Sequence, residues 1–407
     1  MHHEVRLFLA TALLSTSLLG GCGSPAPGTR TVAGDSVSAS QANPDSLIVR
    51  TSPQWQDMLW QDSGWLGADG IYSVAVNGVE KPGAADSTTT LFWFSDTIIG
   101  DIVDDSLQDD WTMLHNSVGY LKGGTPDPSR IRFYWKKDSA GKSISMFSPH
   151  TPDARPGDYY WLGDGFVDNA RDTTLYIFAY RIKPLPGGIY PFDDVGVSLI
   201  AIPKHDQPPY SRQRQMDTPL LLKNAPGGKI SFGVSVLPNT VGARAPSPDG
   251  YVYVYGVRGP DKELLVARVR DTDFEDFSRW RFWDGSSWNP DMTRSVALTS
   301  RVSNEMSVSF MPDGRVMAVF ELDTNSPYVT IQVGNTPAGP FHPYKVIYKT
   351  PEIMSDADFY TYNAKAHPHL SRPGQLLISY NVNSFDFIRD IHAHPHHLRP
   401  RFITLSY

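Results

Sequence analysis

Five stretches of the chain share one pattern: a turn signal, an apolar or aromatic run, then a polar break. They are TTTLFWFSDT (Thr88–Thr97), TTLYIFAYRI (Thr173–Ile182), DGYVYVYGVR (Asp249–Arg258), DGRVMAVFEL (Asp313–Leu322) and PGQLLISYNV (Pro373–Val382). Runs this short, punctuated by Gly, Pro and Asp, predict β-strands rather than helices. Their unbroken apolar character predicts strands covered on both faces. Each run follows a shorter segment rich in small residues: GADGIYSV, LGDGFV, FGVSVL, SNEMSVSF and YNAKAHPHL. Further strands are expected outside them. These are Asn116–Leu121 and Ile131–Trp135 in the first unit, and Val329–Val333 and Lys345–Tyr348 in the fourth.

Five such units, recurring every 60 to 85 residues, predict an all-β fold, a five-bladed β-propeller over residues 46–407. The apolar run is expected as the second strand of each blade. The small-residue segment is expected innermost, where five strands crowd together. Arg401–Ser406 should complete the last blade with a strand near Leu47–Arg50. A pair of β-sandwiches is the competing arrangement, but no Cys…Trp…Cys framework supports it and no linker divides the body.

The first 45 residues read differently. Leu7 to Leu19 is apolar but too short for a bilayer span, which needs about 20 residues. A short apolar run ending in small residues predicts a signal peptide over 1–21. Leu19-Gly20-Gly21-Cys22 resembles a bacterial lipobox, which implies lipidation of Cys22 and anchoring at the cell envelope. Residues 22–45 are rich in Ser, Ala, Gly and Pro and predict a flexible tether. Cys22 is the single cysteine, so no intramolecular disulfide can form. A charge of -7, from 43 acids and 36 bases without a basic block, argues against nucleic acid as a partner. The only membrane partner expected is the one reached through the lipid, and the body is expected to be a monomer.

Candidate chemistry follows from where the acids fall. Asp69, Asp164 and Glu305 sit at the starts of three innermost strands, at one mouth of the central funnel. Asp96 ends the second strand of the first unit, and Glu321 that of the fourth. Carboxyl groups gathered in an aromatic-walled recess suit glycosidic bond cleavage, in which one must hold a proton and another stay ionised. No GxSxG elbow, Walker loop or βαβ unit points to other chemistry, and neither cofactor nor metal is expected. An Asp-Gly turn is the plain alternative for Asp69 and Asp164, and turn-amide bonding for Asp96. Glu321 is expected to pair with a base. His115, Asn116, Trp65 and Trp161 are the candidate substrate-binding residues, with Tyr72, Tyr159 and Tyr160 near the same mouth. His367 and His369 lie on the fifth inner strand, and His392, His394, His396 and His397 are expected on an exposed loop.

GADGIYS with LFWFSDT, and NAKAHPHLSRPGQLLISYNVN with RPRF, resemble a bacterial family of secreted proteins that includes endo-D-arabinanases. That family is similar in fold to the wider five-bladed group of arabinanases, xylosidases, invertases and levansucrases. The resemblance covers most of the chain from Trp55 to Tyr407, with Ser95 where glycine is more usual. It implies a glycoside hydrolase acting on a furanose-containing, arabinan-like polysaccharide. By position, the wider group implies Asp69 as base or nucleophile, Asp164 as the acid that tunes it, and Glu305 as proton donor. The nearer family points instead to Asp69 with Asp96. A non-catalytic glycan-binding propeller and an envelope scaffold acting through its rim are the rival functions.

Overall fold

A computed structural model describes residues 47–170, 174–187, 191–352 and 358–407. The fold is all-β, with 47% of the described residues in strands and 9% in helices. Five antiparallel sheets follow one another along the chain. The first holds Tyr72–Ala75, Thr89–Phe94, Ser117–Lys122 and Ile131–Tyr134. The second holds Tyr159–Asp168, Thr174–Pro184, Phe192–Pro203 and Arg214–Asp217. The third runs Ile230–Asn239, Tyr251–Arg258, Glu263–Arg270, Arg281–Trp283 and Trp288–Asn289, with Leu221–Leu222 on its inner edge. The fourth holds Ser307–Phe310, Val316–Glu321, Tyr328–Gly334 and Lys345–Lys349. The fifth joins Phe359–Ala366, Gln375–Ser384 and Arg401–Ser406 to Ile48–Thr51 from the other end of the chain.

The unbroken apolar runs have a direct cause. In Thr89–Phe94, Leu91 and Trp93 enter one core with Tyr160, Leu162 and Ile177 of the second sheet. Phe92 and Phe94 enter another with Leu377 and Phe402 of the fifth. Tyr176 and Phe178 likewise face away from Ile177 and Ala179, and Met317 and Val319 away from Val316 and Ala318. Strand side chains alternate between faces, so a strand between two apolar cores must be apolar at every position. The first strands of the five sheets pack on one another in chain order. Contact between first and fifth is made by side chains, with Ser73 Oγ 2.6 Å from His367 Nδ1.

Three of these inner strands carry a bulge, at Gly163–Asp164, Gly233–Val234 and Asn363–Ala364. Gly163 is needed for the close approach: a Cβ there would lie 2.7 Å from the Gly233 carbonyl oxygen. Two features depart from expectation. The run Thr89–Phe94 ends at Ser95-Asp96 as expected, but the chain then resumes as a strand, Thr97–Val103, in a further sheet with Ser63–Ala68, Ser106–Leu107 and Thr112–Leu114. The expected histidine loop is partly a helix, Phe387–Ala393. His397 behind it is buried, with Nδ1 2.9 Å from the His394 carbonyl.

Candidate functional site

Asp69 lies between the strand Ser63–Ala68 and the inner strand Tyr72–Ala75. Its backbone is stitched to the turn after Thr89–Phe94: Asp69 N donates to Asp96 O at 3.0 Å, and Ser95 N to Asp69 O at 2.9 Å. Gly70 makes the turn with φ +58°, and a Cβ there would meet Ser95 Oγ at 2.8 Å. Ser95 Oγ in turn accepts from Leu162 N at 3.0 Å. Two acid-bearing turns, both crossing between the same two sheets, are thus held side by side.

The Asp96 backbone amide lies near enough to the Asp69 carboxyl to lower its proton affinity. Tyr362 donates its phenol hydrogen to Oδ2 at 2.7 Å, and Oδ1 is buried without a partner. Burial, then the nearby Asp96 and Glu305 carboxylates, holds this carboxyl well above the usual range, because all three effects disfavour a further negative charge. Asp69 was expected to be the ionised member. Its surroundings favour the protonated form.

Asp96 has different company. Its Oδ1 accepts from Trp161 Nε1 at 3.0 Å and lies 3.1 Å from His115 Nδ1. The His115 ring stacks on Tyr159, with centroids 3.7 Å apart. Tyr159 and Trp161 alternate along one strand and therefore share a face. Trp161 also meets Phe192 edge-on at 4.8 Å. Asp96 is thus bordered by Trp161 and the part-exposed His115, with Tyr159 stacked on His115 and Phe192 set edge-on to Trp161.

Glu305 precedes the inner strand Ser307–Phe310 and pairs with Lys365 Nζ. The Lys365 side chain is 1% exposed, and its ammonium sits 3.9 Å above the Tyr72 ring. Burial lowers its proton affinity, opposed by Glu305, Asp164 and Asp69. The bulge of the fifth inner strand makes this possible. Residues 362 and 365 of a regular strand face opposite sides, but Asn363, at φ +62°, shifts the register so that both reach the centre.

Residues 53–407 match the profile of a family described as "Domain of unknown function (DUF5005)". The chain belongs to that family. No curated protein matches it. Among solved structures, a protein from Bacteroides ovatus ATCC 8483 described as a "putative hydrolase" is similar, with TM-score 0.67 and 17% identity. The match covers 88% of this chain and 90% of that one. A protein of unknown function from Dyadobacter fermentans DSM 18053 gives TM-score 0.37 and 12% identity, over 80% and 74% of the two chains. An exo-β-1,3-galactanase from Phanerochaete chrysosporium, with β-1,3-galactotriose, gives 0.43 and 8%, over 88% and 64%. The first likeness is one of fold, and the other two superpose too loosely to argue from.

In this DUF5005 domain the remaining expected residues fall elsewhere. Asp164 lies within electrostatic reach of the same Lys365 ammonium as Asp69 and Glu305. Its oxygens accept from Gly165 N at 2.8 Å and Val236 N at 2.7 Å, which ties the second sheet to the third. It lines a cavity of about 240 Å³ with Tyr72, Glu80, Val236, Ser307 and Met311. That cavity opens toward the far ends of the inner strands. Burial pushes the Asp164 carboxyl up to about 7 even so.

Asn116 is fully buried and cannot meet a substrate. Its Nδ2 donates to Phe147 O and Tyr160 O, and its Oδ1 accepts from Phe147 N at 2.7 Å. Trp65 is also core, stacked on Phe133 at 4.2 Å with Nε1 donating to Ser117 Oγ. Glu321 pairs with no base: it is buried, accepts from Thr361 Oγ1 at 2.6 Å, and is pushed up by burial to about 8. Both His367 nitrogens meet hydroxyls, those of Ser73 and Ser379. Cys22, the signal segment and the tether lie outside the described residues. Lys365 and Tyr362 were missed by sequence reasoning. The signal for Lys365 was a lone ammonium inside an otherwise small and apolar inner strand.

Proposed function

We propose that the chain is a glycoside hydrolase built on a five-bladed β-propeller, acting on a furanose-containing, arabinan-like polysaccharide. The five consecutive sheets serve as blades, the last completed by Ile48–Thr51. One observation carries the enzymatic reading: Asp69 and Asp96 are joined through their backbones but differ in their donors. Asp69 has a neutral phenol and a bare oxygen, whereas Asp96 has an indole and an imidazole. Two adjacent carboxyl groups in unlike surroundings, one of them held well above the usual range by burial, suit acid–base work at a glycosidic bond. Asp69 acts as proton donor. Asp96 is its partner carboxyl, and Trp161, Tyr159 and His115 contact the sugar. Aromatic faces and a polar floor are the usual means of holding a saccharide.

The substrate class rests on the family resemblance. Arabinans, fructans, arabinogalactans and galactans incubated with the protein should distinguish among candidates by release of reducing ends. No release from any polymer, together with retained binding to one of them, would replace this reading with that of a glycan-binding module. The burial of Asp69 Oδ1 is the observation that favours that second reading. The body is held at the cell envelope by lipid on Cys22, with 1–21 removed and 22–45 as the tether.

A further inference from the structure

Asp69 and Asp96, joined through their backbones, face different sheets. Asp96 reaches the second sheet through Trp161, and Asp69 reaches the fifth through Tyr362. On the fifth-sheet side the rings continue outward. The Tyr362 ring centroid lies 5.4 Å from that of Tyr360, which lies 4.8 Å from that of Phe385. Tyr360 and Tyr362 alternate along one inner strand and share a face. Both are buried, whereas Phe385 is 47% exposed. A row of aromatic side chains therefore runs from solvent to the carboxyl of Asp69.

Phe385 does not serve the helix it precedes. The helix Phe387–Ala393 has Asp386 as its N-cap. A hydrophobic residue before an N-cap often packs on the fourth residue of the helix, but that residue is Asp390. The backbone at Phe385 is nonetheless fixed, since its N–H donates to Asp358 O at 3.0 Å. Polar groups come with the ring. Arg389 Nη2 donates to Asp358 Oδ2 at 2.6 Å in an ion pair that is about half exposed. The half-buried Asn383 donates from Nδ2 to the Tyr362 hydroxyl at 3.3 Å. An open aromatic face with a few fixed polar groups beside it is suited to hold a saccharide.

We propose that Phe385 is a second saccharide subsite, onto which a glycan bound at Trp161 continues past Asp96 and Asp69 to the fifth sheet. The occupant is the same chain rather than a second molecule. The row of rings ends on Asp69, and Asp69 shares two backbone bonds with the turn of Asp96, which Trp161 touches. This subsite rests on the glycan-cleaving reading of the Asp69–Asp96 site and narrows its substrate to a chain long enough to touch both sheets.

The full chain carrying Asp69→Asn, which keeps the glycans from being cut, is titrated by calorimetry with matched disaccharides and hexasaccharides of arabinan, fructan and galactan. Within the series that binds, the hexasaccharide should bind more tightly than the disaccharide. Phe385→Leu keeps an apolar cover over Tyr360 but has no ring, and should cut that preference at least about fivefold, the loss expected when one anchoring aromatic is removed. Phe385→Tyr should keep it. A packing role would be met by leucine and would leave the preference unmoved. Binding with an unmoved preference in Phe385→Leu, or with no preference for the hexasaccharide before the change, overturns the subsite alone. Binding of no saccharide in any series overturns the glycan reading and the subsite with it.

Discussion

Tyr362 and Asp69 stand 293 residues apart in the chain, and the phenol of one donates to the carboxyl of the other across 2.7 Å. This bond lowers the proton affinity of Asp69 against the stronger effect of burial. Tyr362→Phe removes it, so Asp69 should hold its proton to higher pH. With Asp69 as proton donor, the alkaline limb of the rate profile should move up. One net hydrogen bond is worth about 0.5–1.5 kcal/mol, so the rate at neutral pH should change by less than about tenfold. A limb that moves down would reverse the role given to Asp69.

Asp69→Asn and Asp96→Asn should each lower turnover by about 10²–10⁴-fold, the usual range for loss of acid–base catalysis. Circular dichroism should show both variants folded, since asparagine keeps the shape of either side chain and an oxygen to accept from Tyr362 or Trp161.

Glu321 offers a test on stability alone. Its carboxyl is buried and pushed up from 4.5 to about 8, so between these values the folded chain holds a proton that the unfolded chain has lost. Stability from this group is fully present below about pH 4.5, falls as pH rises through the window, and levels off above pH 8. Asp164, raised from 3.8 to about 7, acts in the same direction. Thermal melts of Glu321→Gln should therefore fall less steeply between pH 5 and 8 than those of the wild type. Parallel curves would show that Glu321 does not titrate there.

The aromatic and amide residues should separate into two kinds. Asn116→Ala strands three buried backbone groups, each costing about 1–3 kcal/mol, and Trp65→Ala should cost about 3–5 kcal/mol. Denaturant melts should register both, while glycan affinity in the surviving folded fraction stays unchanged. Trp161→Ala should do the opposite, weakening glycan binding with little loss of stability. If Trp65→Ala alone abolished binding, the recess would have been placed wrongly.

Cys22→Ser should abolish fatty-acid labelling of the protein in cells and leave an unprocessed or released form. Labelling that persists in the variant would rule out an anchor on Cys22.

The five apolar runs were legible because a strand between two cores has no polar position to spare. All five occur as strands next to an innermost one, and Arg401–Ser406 pairs with Ile48–Thr51. The segment Thr97–Val103 was not legible as a separate sheet, because its pattern simply continues that of Thr89–Phe94. Asp69 and Asp96 could be picked out singly, but their joining depends on two backbone bonds across a turn. Trp65 and Trp161 look alike in sequence. Only packing makes one a core residue and the other a wall of the recess. Asn363 hid most, since a register shift by one residue in left-handed backbone decides where Tyr362 and Lys365 point.

The pairing of Ile48–Thr51 with Arg401–Ser406 also has a consequence in time. The strand Ile48–Thr51 finds its partner only after Arg401–Ser406, far along the chain, has been made. Closing so long a loop costs entropy that must be met before the contact can reward it, and folds dominated by such distant pairings form slowly. Until then the fifth sheet lacks an edge strand, and Arg401–Ser406 presents an open row of backbone donors and acceptors. A nascent or truncated chain is therefore a candidate for joining another copy of itself at that edge. The last step of maturation decides between one closed molecule and an aggregate.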